Sequence, residues 1–259
     1  MRRGQGPSPR ISQWRAGSTL ALNPNIMELF KRLPLRKGRV LTLGEQKVNF
    51  TSAKLAEILS QQDLGKDLTQ QDVFEALGFD DVQSLDVSDY EGSHHIFDLN
   101  QPNAPLHLLG QYDMVFTGGT LEHVFHISRA LQHAASFVRP GGCLVHLSPA
   151  NNWMQHGFYQ PGPEWLSAYF QQNGWRIEIS AIIDVIEKTH WIVQPPRFPF
   201  RGIRQMLYGV GIRGDEATID TVPVQNLYIR KHELGEAETR FDQFPAIELR
   251  DGNVIGAAD

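Results

Sequence analysis

The segment from Tyr112 to Pro149 constrains the fold of this chain more than any other. It begins with a short apolar run, 112–117, and ends with a second one, 143–147. Such runs are typical of strands that are buried on both faces of a parallel sheet. Between them, apolar residues recur at three- and four-residue spacing, as on one helix face: Leu121, Val124, Phe125, Ala130, Leu131, Ala134, Ala135 and Val138. The segment therefore predicts a βαβ unit, whose helix is ended by Pro140-Gly141-Gly142.

The rest of the chain continues this alternation of strands and helices. Short apolar runs predict strands near residues 40, 84, 97, 114, 145, 180 and 227, with helices between most of them. Two helix starts are marked, one by a capping box from Thr69 to Asp72 and one by Pro163. We expect an open, doubly wound α/β sheet over 25–232, with an insertion at 184–215 and tails at 1–24 and 233–259.

Composition excludes several classes of protein. A net charge of −5 and a pI near 6.1 argue against a nucleic-acid groove. The only cysteine, Cys143, excludes an internal disulfide and a cysteine zinc cluster, and its apolar surroundings predict a core residue. No apolar run approaches the roughly 20 residues of a membrane span, and the basic N-terminus lacks the apolar region of a signal peptide. We therefore expect a cytoplasmic protein.

Ligands of such sheets bind beyond the carboxyl ends of the strands. The loop after the first strand, LGEQKVN, has a single glycine, whereas a phosphate-binding loop needs several, so a dinucleotide is disfavoured. A cofactor without phosphates needs instead a ribose acceptor after the second strand, which Asp86 could supply. It also needs a polar group beside adenine after the third strand, which Asp98 or Asn100 could supply. The alternative is that these side chains cap turns.

Five stretches together resemble class I S-adenosylmethionine-dependent methyltransferases, over roughly Arg39 to Lys231. They read VLTLGEQ, SLDVSDYEG, FDLN, YDMVFTGGTLEHV and ALQHAASFVRPGGCLVHLSP. The later HGFYQPGPEWLSAYFQQNGW resembles a subgroup linked to saccharide or secondary-metabolite modification. The resemblance implies a Rossmann-like, doubly wound, seven-stranded and mostly parallel sheet, with S-adenosylmethionine as cofactor.

The resemblance also implies a cofactor site at the strand ends. Its members would be Gly44, Glu45, Gln46, Asp86, Asp98, Leu99, Gly118, Gly119 and Thr120. Gly44 would begin the turn under the methionine part, Asp86 would bind the ribose, and Asp98 with Leu99 would flank the adenine. Two features depart from the family pattern: Thr42 replaces a commonly acidic residue, and 45–47 replaces the glycine-rich run. Glu45 or Gln46 would then meet the methionine amino group.

Transfer of a methyl group to a hydroxyl benefits from a general base, for which histidine is the usual choice. Two histidines are candidates: His123, in the Glu122-His123 pair after the fourth strand, and His156, in the loop after the fifth. The alternatives are a helix-start histidine and a loop packed on its own aromatics. Around His156 we predict acceptor contacts from Asn151, Asn152, Trp153, Phe158 and Tyr159. We predict no metal, because no tight acidic cluster is visible.

The aromatic and arginine-rich insertion predicts a lid or acceptor wall, with an oligomer contact or a membrane-proximal patch as the alternatives. The leading hypothesis is an S-adenosylmethionine-dependent methyltransferase that acts on oxygen of a small or saccharide-like acceptor. A non-catalytic binding or scaffold protein on the same fold, and a nicotinamide oxidoreductase, are the other two hypotheses. A homo-oligomer is left open.

Overall fold

A computed structural model describes residues 22–33, 38–184, 189–192, 204–226, 228–229, 246–250 and 253–258. Its helices are α1 (Pro24–Arg32), α2 (Ser52–Leu59), α3 (Gln70–Ala76), α4 (Ile127–Phe137) and α5 (Pro163–Gln172). Its strands are β1 (Arg39–Leu43), β2 (Asp81–Asp86), β3 (His95–Ile96), β4 (Tyr112–Gly118), β5 (Val138–Asn151), β6 (Arg176–Asp184), β7 (Thr189–Ile192), β8 (Gln205–Ile212), β9 (Ala246–Arg250) and β10 (Asn253–Ala258). Short 3₁₀ turns lie at Leu106–Leu108 and Leu121–His123.

One sheet contains all of these strands, and its main part has the order β3-β2-β1-β4-β5-β8-β6. Neighbours from β3 to β5 are parallel, whereas β8 runs antiparallel to both β5 and β6. Beyond β6, the strands β7, β9 and β10 continue the sheet in antiparallel fashion. The seven-stranded, mostly parallel, Rossmann-like α/β sheet predicted from the sequence is confirmed.

Helices cover both faces of the sheet, because successive strand residues point to opposite sides. On one face, alternate residues such as Val40 and Phe116 pack in a cluster with α1, α2 and α3. On the other face, their neighbours Leu41 and Val115 pack with α4 and α5. The central strands are therefore buried on both sides, as their continuous apolar sequences predict, and β4 has no exposed residue.

Local signals set several helix ends. Thr69 and Asp72 form the predicted capping box at the start of α3. Pro163 is the first residue of α5, where the missing N–H costs nothing, and Gly174 follows its C-cap with φ +72. Because these signals are local, the sequence alone was enough to place both helices.

The sequence analysis predicted the last of its seven strands near residue 227, and this is wrong. The strand that completes the seven-stranded main part of the sheet is β8. Asn226 is helical, and β8 lies inside the segment that the sequence analysis assigned to an insertion. Two glycines interrupt the apolar pattern of this strand in the sequence. The structure requires them, because a Cβ on Gly209 would lie 2.2 Å from Leu166 and one on Gly211 would lie 2.5 Å from Phe170. Glycine in a strand marks such close approach, here of α5 to the sheet.

Two smaller corrections concern the start of the helix α4 and the length of the third strand. The helix predicted from Leu121 begins only at Ile127, and Phe125, which we placed on its core face, is 61% exposed. Asn100 fixes that start, because its side-chain oxygen accepts a hydrogen bond from the backbone N–H of His126 at 3.0 Å. The third strand, predicted near residue 97, is only two residues long and ends before the polar turn formed by Asp98 and Asn100.

Two buried groups in β5 behave as expected from their apolar surroundings. Cys143 is buried, and burial raises the pKa of its thiol to about 12. His146 is fully buried, with one ring nitrogen 2.7 Å from Thr117 Oγ1 and the other 2.9 Å from Ser148 Oγ. His146 is therefore a core histidine whose two ring nitrogens both have hydrogen-bond partners.

Much of the predicted insertion and of the two tails lies outside the described residues, so the lid or acceptor-wall role stays a prediction. The domain limits at 24, 184, 215 and 232 stay predictions as well. Within the described part of the chain, no helix is both long and apolar enough to span a membrane.

Candidate functional site

A cavity of about 510 Å³ lies at the carboxyl edge of β1, β2, β3 and β4. Its lining comprises Gly44, Glu45, Gln46, Lys47, Leu85, Asp86, Val87, Glu91, Phe97, Asp98, Leu99, Asn100, Gly118, Gly119, Thr120, His123, Val124 and His156. Every residue that the resemblance assigned to the cofactor is in this set, together with both candidate bases. The ends of parallel strands meet at one edge of the sheet, which explains why turns far apart in sequence share one cavity.

The turn after β1 forms the floor of the cavity and is tied to β4 by side chains. Gly44 has φ +77, and a Cβ there would come within 3.4 Å of Thr120 Oγ1. The amide of Gln46 donates to the carbonyls of Leu43 (3.2 Å), Gly44 (3.3 Å) and Gly118 (3.2 Å). Thr120 also donates to the carbonyl of Leu43. A single glutamine side chain thus bridges the two strand ends in a turn with one glycine.

Thr42 and Glu45, at the two points of departure from the family pattern, share one buried partner. Gln70 of α3 accepts a hydrogen bond from Thr42 Oγ1 at 3.1 Å and from the backbone N–H of Gln46 at 3.0 Å. Its amide nitrogen donates to the carboxylate of Glu45. Burial raises the pKa of the Glu45 carboxyl, which faces the cavity. Gln70 therefore holds Glu45 and the β1 turn in place.

The far end of the cavity carries two carboxylates at successive strand ends. Asp86 ends β2, and one of its oxygens lies 3.8 Å from the Cβ position of Gly44. Asp98 follows β3 and accepts hydrogen bonds from the backbone N–H (2.8 Å) and the amide (2.9 Å) of Asn100. These bonds hold the pKa of Asp98 below its usual range, so the carboxyl is ionised near neutral pH. Asn100 itself is occupied with Asp98 and α4.

The charges around the cavity are predominantly negative. The carboxylates that line it belong to Glu45, Asp86, Glu91 and Asp98, and the only lysine in the lining is Lys47. A cationic ligand is favoured by such a lining, whereas an anionic dinucleotide is repelled.

A second cluster lies on the β4 side of the cavity and is formed by Glu122, His123 and His156. Glu122 is 0% exposed, and among the described residues neither carboxylate oxygen has a hydrogen-bond partner. One oxygen lies 3.9 Å from His123 Nε2 and 3.8 Å from His156 Nε2, and the two imidazole centroids are 5.0 Å apart. Burial raises the pKa of Glu122 to about 7 and lowers the pKa of both histidines.

The loop 152–160 brings His156 to Glu122. The backbone N–H of Phe158 donates to the Glu122 carbonyl at 2.7 Å. Gly157, with φ +76, lies so close that a Cβ would be 2.7 Å from the same oxygen. Trp153 anchors the other end, since it is 6% exposed and its indole N–H donates to the Gln205 carbonyl at 2.9 Å. Its ring packs against His156 with 5.3 Å between centroids.

The residues predicted to contact an acceptor are not in the cavity lining, although they lie around His156. Trp153 is buried and supports His156, and Asn151 ends β5 with its amide 3.4 Å from the Gln205 side chain. Asn152 is exposed in a left-handed conformation with φ 59. Phe158 is 65% exposed, and Tyr159 donates from its hydroxyl to the Phe125 carbonyl at 2.7 Å. Their acceptor role stays a prediction.

The sequence analysis gave Glu122 no role of its own, although the structure places it at the centre of the second cluster. Its signal was present, because an acidic residue directly after an apolar strand and turn is costly to bury without a function. Gln70 was missed for a different reason, since nothing in the α3 sequence shows that its side chain reaches the end of β1.

No protein-family model matches the chain, and no curated protein matches its sequence. Among solved structures, it resembles the complex between the Haloferax volcanii Trm112 methyltransferase activator and a putative methyltransferase. The identity is 15%, over 74% of this chain and 89% of that one, with a TM-score of 0.41.

It also resembles the 1,6-didemethyltoxoflavin-N1-methyltransferase of Burkholderia thailandensis, solved with bound 1,6-didemethyltoxoflavin and S-adenosylhomocysteine. There the identity is 14%, over 78% of this chain and 81% of that one, with a TM-score of 0.40. An O-methyltransferase family protein from Burkholderia thailandensis is 15% identical over 73% of this chain and 55% of its own, with a TM-score of 0.39. All three are described as methyltransferase structures, and at these TM-scores we draw nothing about function from them.

Proposed function

We propose that this chain is an S-adenosylmethionine-dependent methyltransferase that methylates an oxygen of a small or saccharide-like acceptor. One observation carries the proposal: the cavity lining contains every residue that the resemblance assigned to the cofactor, together with His123 and His156. The residues proposed for the donor and for the base therefore share one cavity, as methyl transfer between two bound molecules requires.

The lining fits the chemical groups of this cofactor. Asp86 offers a carboxylate to ribose hydroxyls, and Asp98 lies near the adenine position expected from the resemblance. Glu45 supplies a partner for an ammonium group, and the excess of carboxylates favours a ligand with a positive sulfonium. The turn after β1 lacks the several glycines that a pyrophosphate needs, which fits a cofactor without phosphates.

When bound, S-adenosylmethionine supplies a methyl group on a positively charged sulfur. Gly118 ends β4 at the cavity and Gly119 follows it, and a Cβ on Gly118 would meet the Phe116 ring at 2.5 Å and Gln46 at 2.7 Å. In our proposal this narrow strand end positions the donor. The imidazole of His123 or His156 accepts the proton of the acceptor hydroxyl.

The exposed aromatic rings beside the cavity support an acceptor with a flat or saccharide-like face. Phe125 and Phe158 are 61% and 65% exposed, and their rings meet edge to face at 5.7 Å. Tyr159 joins them through its hydrogen bond to the Phe125 carbonyl. We propose that these rings bind the acceptor and that Asn151 and Asn152 orient it, whereas Trp153 acts by supporting His156.

Calorimetric titration with S-adenosylmethionine and S-adenosylhomocysteine tests the proposal. We expect saturable binding, and Asp86→Ala should weaken it by about 10- to 100-fold, since hydrogen bonds to a charged group contribute about 1.5–3 kcal/mol. The matched control is Asp89→Ala, because Asp89 is exposed in the same turn and does not line the cavity. Failure of the unaltered protein to bind either compound at millimolar concentration would overturn the proposal.

A turnover assay separates the scaffold hypothesis from the enzyme hypothesis. A non-catalytic protein that retains the cavity would bind the cofactor without releasing S-adenosylhomocysteine over a panel of hydroxylated acceptors. Release that depends on the acceptor, measured by mass spectrometry, would exclude it.

A further inference from the structure

The carboxylate of Glu122 is an unusual group to bury. It is 0% exposed, and within the described part of the chain both oxygens lack a hydrogen-bond donor, as does Nε2 of His156. An unpaired buried carboxylate costs several kcal/mol or more, so native structures normally give it a cation or hydrogen bonds. The cluster therefore lacks a binding partner.

The distances within the cluster are close to those of ligands around a common ion. At 3.8 and 3.9 Å, the Glu122 oxygen is too far from the two imidazole nitrogens for hydrogen bonds. Two ligand atoms that each lie about 2 Å from one ion can be up to about 4 Å apart. One ligand atom from each of the three residues lies within 4.8 Å of the others, and the half-exposed His123 can rotate to close the remaining gap.

Contacts outside the cluster hold Glu122 and His156 in position. Glu122 is fixed by the 3₁₀ turn 121–123 and by the loop that donates Phe158 N–H to its carbonyl. His156 packs on Trp153, which is itself bonded to β8. Ligands that are oriented by such outer contacts bind metals more tightly.

We propose that Glu122, His123 and His156 bind one divalent transition-metal ion at the side of the cavity. Two imidazole nitrogens and one carboxylate oxygen suit zinc, iron, cobalt or manganese better than magnesium or calcium, which prefer oxygen ligands alone. Three protein ligands leave coordination positions open, and His123 and His156 both line the cavity. This proposal departs from the sequence analysis, which predicted no metal because it looked for several carboxylates.

The proposal that an ion binds rests on the geometry of the cluster alone, and not on the proposed function. The use of the ion in catalysis rests on the proposed function: a bound ion would hold an acceptor oxygen beside the donor and lower the pKa of the hydroxyl, whose proton would pass to solvent water, and the imidazoles would then be ligands rather than bases. If no ion binds, the imidazoles remain the proposed bases and the methyltransferase proposal is unaffected.

The test uses the full chain without any affinity tag, freed of metal by dialysis against a chelator and titrated with Co²⁺. Visible absorption reports coordination by nitrogen and oxygen ligands, and calorimetry with Zn²⁺ gives stoichiometry and affinity. We expect one ion per chain. Glu122→Gln and His156→Asn should each lower the affinity by more than about 10-fold, since even loss of an outer contact typically costs that much.

The matched control is His126→Ala, which removes an exposed imidazole three residues from His123 and outside the cluster. Its affinity should equal that of the unaltered protein. The proposal would be overturned if the unaltered protein bound no stoichiometric ion. It would also be overturned if Glu122→Gln and His156→Asn bound the ion as tightly as the unaltered protein. Thermal melting of the metal-free variants checks folding, and if Glu122→Gln does not fold, the partly exposed His156 and His123 carry the test.

Titration of the same samples with S-adenosylhomocysteine distinguishes the two proposals. Metal binding without cofactor binding would overturn the proposed function and support the metal site. Cofactor binding without metal binding would do the reverse.

Discussion

The two sides of the cavity are held by different kinds of contact. On the side proposed for the cofactor, called the cofactor side below, the turns that end β1, β2, β3 and β4 meet because the sheet brings them together, and each turn carries its own polar residue. On the opposite side, Glu122 and His156 come from separate segments, and they meet only because the loop 152–160 docks on the 3₁₀ turn. The first side follows from strand order, whereas the second depends on a few specific loop contacts.

This difference has a practical consequence for substitutions. A change in one strand-end turn leaves the others in place, since the sheet still holds them. A change at the docking point of the loop moves His156 as a whole, since the described contacts that fix it are few. The expected effects below are ordered from the largest to the smallest.

Gly157→Ala should have the largest effect and should act on the loop side alone. The new Cβ would lie 2.7 Å from the Glu122 carbonyl, on a backbone with φ +76. Strain and overpacking together should cost about 3 kcal/mol, seen as a lower midpoint in urea unfolding, and should abolish Co²⁺ binding. Binding of S-adenosylhomocysteine should persist.

Gly92→Ala is the control for this variant, because Gly92 has the same φ of +76 and nothing within 4 Å of its Cβ position. It should show only the backbone strain, about 1 kcal/mol. Equal losses in the two variants would show that the contact with Glu122 does not hold the loop.

Gly118→Ala tests the cofactor side. A methyl group there would press on the Phe116 ring at 2.5 Å and on Gln46 at 2.7 Å, which should cost about 2 kcal/mol and weaken cofactor binding. Thermal melting and calorimetry give the two readouts. Gly162→Ala, with φ −83 and open space around its Cβ position, should be close to neutral. A neutral Gly118→Ala would mean that Gln46 is free to leave the floor of the cavity.

Titratable groups on the two sides should lose their contributions to the stability of the protein at different pH values. His146, in β5 below the loop side, has its pKa lowered to about 3 by burial, so the unfolded chain binds the proton more readily. His146 alone should then lower the stability by about 1.4 kcal/mol per unit as the pH drops below about 6.5, an effect that the raised pKa of Glu122 partly offsets and that the other histidines with lowered pKa reinforce. For Asp98, whose pKa is lowered, loss begins only below about 4. Urea unfolding between pH 7 and 5 should show the first slope.

The slope should flatten in His146→Gln, which removes the titrating group and keeps a side chain able to bond Thr117 and Ser148. The exposed His126→Gln is the control. An unchanged slope in His146→Gln would assign the acid sensitivity to other groups.

Gln46→Ala should have the smallest effect. Its amide donates to three carbonyls at the ends of β1 and β4, and the loss should be about 1 kcal/mol, because water replaces part of these bonds near the cavity. Gln61→Ala, which removes one exposed bond to the Ala76 carbonyl, should be within about 0.5 kcal/mol of zero. If Gln46→Ala leaves cofactor affinity unchanged, the bridge between the strands is not needed to shape the turn.

Sequence patterns were sufficient where the signal is local. The βαβ unit, the capping box at Thr69 and the start of α5 at Pro163 are all present in the structure. They were insufficient where a distant contact decides, as for β8, whose glycines are explained only by the approach of Leu166 and Phe170. The late start of α4 has the same origin, since Asn100, from another part of the chain, holds the backbone N–H of the N-cap residue His126.

The sequence by itself determined the sheet and the edge at which the cavity lies, because apolar runs and turn residues are local and parallel strands share one carboxyl edge. That is why Asp86, Asp98 and Gly118 were found in advance and now line one cavity. Only the tertiary structure decided the cluster of Glu122, His123 and His156. Its members meet through a loop whose path depends on the space beside Gly157 and on the anchor of Trp153 in β8. No periodicity encodes such a contact.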